Sequence, residues 1–221
     1  MKPAVPQTPD IPWRWLGRVS YEAGLKEQER LIQRHFDAAT DGQEDVIMAL
    51  EHDPVITLGR SSKEVLPPGQ SSFALPHFQT NRGGQATYHG PGQLVVYPIL
   101  NLRRRGQDLH KYLRCLEQAI VETSRHYGVE AITKEGFTGV WVGDKKLASI
   151  GVGVRRWISM HGLAMNVQGD LSPFDGIIPC GLVGVQMTSL EKEGAIPVPS
   201  VQDSAVVLID SLQQLLPKIL S

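Results

Sequence analysis

Gln93-Leu94-Val95-Val96-Tyr97-Pro98-Ile99-Leu100 (QLVVYPIL) decides the architecture of this chain. The run is apolar almost throughout and rich in β-branched residues, as a buried strand requires. Downstream, Asp108 makes a good helix N-cap. Leu109, Leu113, Leu116, Ile120, Thr123 and Tyr127 then step by four and three, and Gly128 supplies the stop. Residues 137–167 read as two or three strands, with Gly143-Asp144 as a hairpin turn. A last helix opens at Ser200 and spans about 200–219. Asp203 takes its capping-box position, and Ala205, Leu208, Leu212, Leu215 and Ile219 form its inner face. Upstream, short strands at 45–51 (DVIMALE) and 55–58 flank His52-Asp53-Pro54, and 65–76 is a Pro-, Gly- and Ser-rich loop. Residues 20–39 form a helix, with Leu25, Ile32 and Phe36 at helical spacing. Central strands, helices near both ends and one helix inserted predict an α/β fold, a mixed sheet with flanking helices. No composition shift marks a boundary, so 1–221 reads as a single domain, although the region after about Pro179 could pack as a small subdomain.

The chain has 221 residues, of which 41% are hydrophobic and 20% charged, enough for one sizeable core. Lys and Arg number 22 against 23 Asp and Glu, a formal net charge of -1. That balance argues against a nucleic-acid partner, which calls for a basic excess. No stretch has the ~20 apolar residues of a membrane span. The proline-rich segment 1–15 has no apolar core of a secretory signal and is no transit peptide. Cys115 and Cys180 are too few for a disulfide framework and show no zinc-site spacing, so no metal is expected. A single disulfide is formally open, but two free thiols in a reducing cytoplasm is the simpler reading, and the chain is expected to be cytoplasmic.

Four segments carry chemistry. Arg82-Gly83-Gly84-Gln85-Ala86-Thr87-Tyr88-His89-Gly90-Pro91-Gly92-Gln93 mixes turn residues with polar side chains, and its adjacent glycines let a ligand approach the backbone. It reads equally as a plain hairpin loop, and it lacks the phosphate-loop pattern. In Ile177-Ile178-Pro179-Cys180-Gly181 the cysteine sits in irregular backbone, with an accessible side and a free N–H beside it. Cys115, mid-helix between Leu113 and Leu116, fits the commoner role of a small buried hydrophobe. Lys145-Lys146-Leu147-Ala148-Ser149-Ile150-Gly151 leads a lysine into an apolar strand, where it could also snorkel to solvent. Alternation puts Lys146, Ala148 and Ile150 on one face but leaves open which lysine points inward. In His161-Gly162-Leu163-Ala164-Met165-Asn166-Val167, His161 could activate a thiol or be structural. The small Gly162 and Ala164 suit a wall beside a narrow apolar ligand.

Together these segments resemble the lipoyl(octanoyl) transferase family, also called lipoate–protein ligase B. The resemblance runs over about 18–190. It also includes Glu51-His52-Asp53-Pro54-Val55, Thr57-Leu58-Gly59-Arg60 and Gly136-Phe137-Thr138-Gly139-Val140-Trp141. Each piece is modest, and their order and spacing are specific. The resemblance implies the mixed-sheet fold of biotin and lipoate ligases. It implies a catalytic domain that moves octanoyl from octanoyl-acyl carrier protein to a lysine of the lipoyl domains of 2-oxoacid dehydrogenase complexes and glycine-cleavage H protein, with no cofactor. Cys180 would be the acyl-thioester nucleophile and Lys146 its partner. Arg82, Gly83, Gly84, Gln85, Ala86, Thr87, Tyr88, His89, Ser149, Ile150, Gly151, Gly162, Leu163 and Ala164 would line the acyl site. His161 becomes a wall or support residue.

Three other functions compete. An ATP-dependent lipoate or biotin ligase on the same fold needs an adenylate site and no nucleophilic cysteine. A non-catalytic acyl- or lipoyl-domain-binding protein would tolerate loss of Cys180, and a Cys–His thiol hydrolase would release free octanoate. Arg103-Arg104-Arg105 is a candidate docking patch for an acidic carrier protein, though a solvated turn is preferred for it.

Overall fold

The computed structural model describes residues 10–37, 45–62, 66, 74–178 and 184–219. The run QLVVYPIL forms a strand, Gln93–Ile99, buried at every position. Its side chains alternate with period two. Leu94 and Val96 enter one apolar cluster, and Val95, Tyr97 and Ile99 enter a second on the opposite face. A strand covered on both faces has no polar side to show, which is why its sequence is continuously apolar.

In chain order the strands are β1 (Trp13–Val19), β2 (Val46–His52), β3 (Val55–Leu58), β4 (His77–Gln79) and β5 (Ala86–His89). They continue with β6 (Gln93–Ile99), β7 (Ile132–Lys134), β8 (Phe137–Val142), β9 (Lys145–Arg155) and β10 (Ile158–Asn166). Seven form one sheet in the order β1-β2-β6-β10-β9-β8-β7, and β4-β3-β5 form a smaller sheet. β1 runs parallel to β2, while the other pairs of the large sheet are antiparallel. The helices are α1 (Tyr21–Asp37), α2 (Leu109–His126) and α3 (Val201–Ile219). α2 and α3 cover one face through Tyr112, Leu116, Ile120, Leu208 and Leu212. α1 covers the other with Leu31 and Ile32. The mixed sheet with flanking helices is as expected.

Local signals were accurate at the helix ends. Asp108 Oδ1 accepts the Lys111 N–H at 3.0 Å. Ser200 Oγ accepts the Asp203 N–H at 3.0 Å and donates to its carboxylate at 2.7 Å. The turn at 143–144 joins β8 to β9, with Val142 opposite Lys145.

Other expectations need correction. The buried stripe of α2 is centred on Tyr112, Cys115, Leu116, Ala119 and Ile120, leaving Leu109 and Leu113 half-buried at its margin. β1 begins inside the proline-rich segment 1–15, where no strand was expected. It is an edge strand, half exposed, so its pattern is weak. β5 lies inside the segment read as a loop: four residues between glycines, paired with β3 from Val55↔His89 to Leu58↔Ala86. Residues from 184 onward do not separate from the main core. Lys146 N–H donates to Gln186 O at 2.8 Å, and Thr188 N–H to Lys146 O at 2.9 Å. Leu190, Ala195 and α3 share the cluster that holds α2. Of the expected loop at 65–76, residues 65, 67–70 and 71–73 lie outside the described residues, as do 38 and 39 at the expected helix end and the side chain of Ile219. Among the described residues no helix is long and apolar enough to cross a membrane.

Candidate active site

Two of the singled-out segments are neighbouring strands in register. On β9 and β10, Ser149 pairs with Ala164, Ile150 with Leu163, and Gly151 with Gly162. Gln85 and Ala86 lie across this seam with Arg82 and Gly84, and Gly83 N–H bonds Val152 O at 2.8 Å. Between them is a cleft with about 470 Å³ of empty space, its mouth included, completed by Thr87, His89, Tyr21, Tyr97 and His161. Of the expected acyl-site residues, Gly83 and Tyr88 do not line the cleft. Tyr88 points to the far side of β5, edge-on to Phe174 with ring centroids 5.3 Å apart. Alternation along the strand sends its side chain away while Thr87 and His89 face in.

Arg82 is buried, at 8% exposure, and its guanidinium organises the rim. Nη2 donates to Thr57 O at 2.7 Å and Thr57 Oγ1 at 2.8 Å, and Nη1 donates to Gly83 O at 3.0 Å. The planar fork thus ties the Gly83-Gly84 backbone to β3, a task a lysine point charge would not perform. Behind it runs a buried polar chain. His89 meets Thr57 Oγ1 at 3.2 Å and Gln93 Oε1 at 2.7 Å. Gln93 donates to Asn166 at 2.9 Å, and Asn166 to Thr188 O at 2.9 Å. It ends beside the backbone of Lys146, so the cleft wall and the lysine are parts of one rigid network.

Apart from Arg82 the cleft is electrically quiet. Burial lowers the His89 pKa well below its ordinary value and raises that of Tyr21 to about 12. His161 is pushed down to about 4, first by burial and then by Arg82. Its Nε2 meets Asn81 Oδ1 at 2.6 Å, and Asn81 Nδ2 faces Met160 sulfur, so the neutral ring donates its Nε2–H to Asn81. The ring supports the wall at a point where the strand bends: His161 has φ 56, and its N–H goes to Gln28 Oε1 at 2.7 Å. Beyond the Arg82 guanidinium, a mostly apolar cleft suits an uncharged chain.

The histidine shift has a consequence for stability. The folded state resists a proton that the unfolded chain takes up near pH 6.5. The contribution of His161 is therefore complete above pH 6.5 and is lost as pH falls towards 4. At about 1.4 kcal/mol per unit it amounts to about 3 kcal/mol, with His52 and His89 acting in the same direction. Urea unfolding across this range should show stability falling with pH, and His161→Asn should flatten the slope.

Lys146 is buried as well, at 2% exposure. Its Nζ donates to Thr138 O at 3.1 Å and lies 5.1 Å from the centre of the Trp141 ring. Lys145 instead faces outward and pairs with Glu193 at 2.9 Å. Alternation along β9 separates them. Lys146 is three residues from Ser149 and five from Gly151, about 16 Å along an extended strand. It thus stands at the end of the same strand that floors the cleft. Cys180, with Pro179 and Gly181, lies outside the described residues. Cys115 is buried, and its thiol is pushed up to about 12 by that burial, as suits an inert core residue. In the basic run, Arg105 is held by Asp45 at 2.6 Å, while Arg103 and Arg104 are exposed.

Sequence reading did not single out Tyr21, Tyr97, Gln28 or Asn81, which meet the cleft or support its wall from distant segments. Nothing local marks them. Glu117 was also passed over, although a carboxylate between Leu116 and Ala119 on a core-facing helix was a usable signal.

Residues 20–213 match the lipoyl protein ligase A/B catalytic domain. The octanoyltransferase of Geobacter metallireducens is 46% identical over 188 residues, covering 84% of this chain and 84% of that protein. The octanoyltransferase of Citrifermentans bemidjiense is 50% identical over 180 residues, 80% of this chain and 84% of that one. Among solved structures, a bi-partite lipoate protein ligase from Thermoplasma acidophilum superposes with a TM-score of 0.72 at 17% identity, over 95% of this chain and 85% of that one. A biotin protein ligase from Aquifex aeolicus gives 0.53 at 16% identity, over 94% and 69%. At these identities the structural likeness carries the fold, which is the lipoate and biotin ligase architecture expected from the sequence.

Proposed function

The chain belongs to the lipoyl protein ligase A/B catalytic family, and from that premise we propose that it transfers an octanoyl group from octanoyl-acyl carrier protein, through a thioester on Cys180, to a lysine of lipoyl domains. The chain is an acyltransferase, in keeping with its octanoyltransferase relatives. The observation that carries the reading is the buried Lys146 amine at the head of the strand whose next residues floor a mostly apolar cleft.

The chemistry follows from the residues. A free thiol with pKa ~8.5 is only a few per cent thiolate at pH 7. A neighbouring ammonium favours the thiolate, since opposite charges 4 Å apart attract by about 4 kcal/mol at an effective dielectric of 20. The Cys180 thiolate attacks the donor carbonyl, a new C–S bond forms, and the carrier thiolate leaves with a proton from Lys146. The acceptor amine then attacks the acyl-enzyme and gives its proton to Lys146, and the Cys180 thiolate departs. The cycle closes with thiolate and ammonium restored. One thioester is exchanged for another before the amide forms, so the acyl group needs no separate activation by nucleotide. Each methylene buried in the cleft adds ~0.8 kcal/mol, which gives a basis for selecting chain length.

The test is intact-protein mass spectrometry after mixing with octanoyl-acyl carrier protein in the absence of nucleotide. The wild type should gain one octanoyl group, Cys180→Ala should gain none, and adding a lipoyl domain should discharge the adduct. An absolute ATP requirement, or an adduct on Cys180→Ala, would overturn the reading.

A further inference from the structure

The peptide joining Thr138 to Gly139 in β8 is held at both ends by ionisable side chains. Its carbonyl accepts from Lys146 Nζ at 3.1 Å, and its N–H donates to Glu117 Oε1 at 2.9 Å. Glu117 projects from α2, is fully buried, and receives the Arg114 guanidinium on its other oxygen. Arg114 is itself 54% exposed in its side chain. A carboxylate with no exposure beneath a helix is costly unless it is paired and hydrogen-bonded, and this one has the Arg114 guanidinium on one oxygen and, on the other, a backbone N–H next to Lys146. Burial raises the Glu117 pKa, and the Gly139 N–H, Arg114 and Lys146 oppose that rise.

Space is reserved for the same contact. Gly139 has φ +121, and a Cβ there would lie 2.8 Å from Lys146 Cε and 2.5 Å from Ala148 O. An L side chain would expel the amine from its seat. Among the described residues, the two neighbouring lysines are paired elsewhere. Lys134 on β7 lies 4.9 Å from the Trp141 ring centre and pairs with Asp144, while Lys145 pairs with Glu193.

We infer that Glu117 is a positioning residue for acyl transfer, acting on Lys146 through the Thr138–Gly139 peptide. A carboxylate on the N–H side polarises the amide and makes its carbonyl a stronger acceptor for the amine. The negative charge also stands behind the group that gives and retakes a proton in each cycle. This rests on the assignment of Lys146 as the proton carrier.

The experiment compares kcat against pH for wild type, Glu117→Gln, Arg114→Gln and Lys146→Met, with a melting curve for each. Glutamine still offers an oxygen to Gly139 N–H but carries no charge. The alkaline limb of the Glu117→Gln profile should therefore move down, with kcat reduced several-fold and KM little changed. Arg114→Gln changes an exposed side chain and removes one of the positive charges facing Glu117, so its limb should move up by a smaller amount. It supplies the test should Glu117→Gln fold poorly. A limb that stays in place in the folded variants, or moves the wrong way, overturns the inference while a dead Lys146→Met keeps the catalytic reading intact. Full transfer by Lys146→Met overturns both.

Discussion

Lys146→Met is expected to lower octanoyl transfer by about a thousandfold, the middle of the range for removing a general acid–base group. The side chain is almost fully buried, so methionine fills nearly the same volume and meets the Trp141 face as the lysine stem does. What disappears is the amine, together with its bond to Thr138 O. Stability should change little, since taking a cation out of the interior offsets much of the lost hydrogen bond. Single-turnover assays should show both half-reactions slowed. Acyl-enzyme formation loses the charge that favours the thiolate, and discharge loses the proton acceptor. Transfer at more than about a tenth of the wild-type rate, from protein with an unaltered melting curve, would remove Lys146 from the mechanism. Lys145→Met, beside the exposed pair with Glu193, should leave the rate close to wild type.

The second large effect is expected on folding. In Gly162→Ala the added Cβ would lie 2.2 Å from Val96 O and 2.8 Å from Pro98 Cδ. The first of these is backbone in β6, which is packed on both faces and cannot give way. β10 must instead shift from β6 where His161 already takes a positive φ. Forcing extra volume into such a site costs about 2–3 kcal/mol, so the melting temperature should fall by about 4–12 °C for a chain of this size. The shift also disturbs the Gly151–Gly162 pair at the floor of the cleft, so KM for the acyl donor should rise. Gly176→Ala is the control: nothing lies within 4 Å of its Cβ position, and its melting curve should match the wild type. Equal curves for both variants would remove the close-approach argument.

Elements written in local chemistry were legible before any coordinates. The caps at Asp108 and Ser200 depend on residues three apart, and β6 depends on burial that its own composition declares. β1 and β5 were not legible. β1 is half exposed, and β5 is four residues long between glycines, so both exist because a partner strand from elsewhere supplies their hydrogen bonds. The same division runs through the site. Gly162 and Ala164 were identifiable as small residues and Ser149–Gly151 came from the family resemblance, but the registration of the two segments is a property of the sheet. Tyr88 was grouped with the cleft because it sits in the right segment, and strand alternation turned it away.

By itself the sequence determined the α/β class, the positions of α2 and α3, and the segments in which chemistry is concentrated. Their order along the chain determined which family it resembled. Only the tertiary structure decided that Lys146 is buried while Lys145 is not, and that Glu117 reaches the same peptide as Lys146 from a helix far away in sequence. The physical reason is range. Capping, turn chemistry and periodicity act over a few residues and leave their mark in composition. Desolvation of an amine and the pairing of a buried carboxylate depend on what non-neighbouring segments place around them.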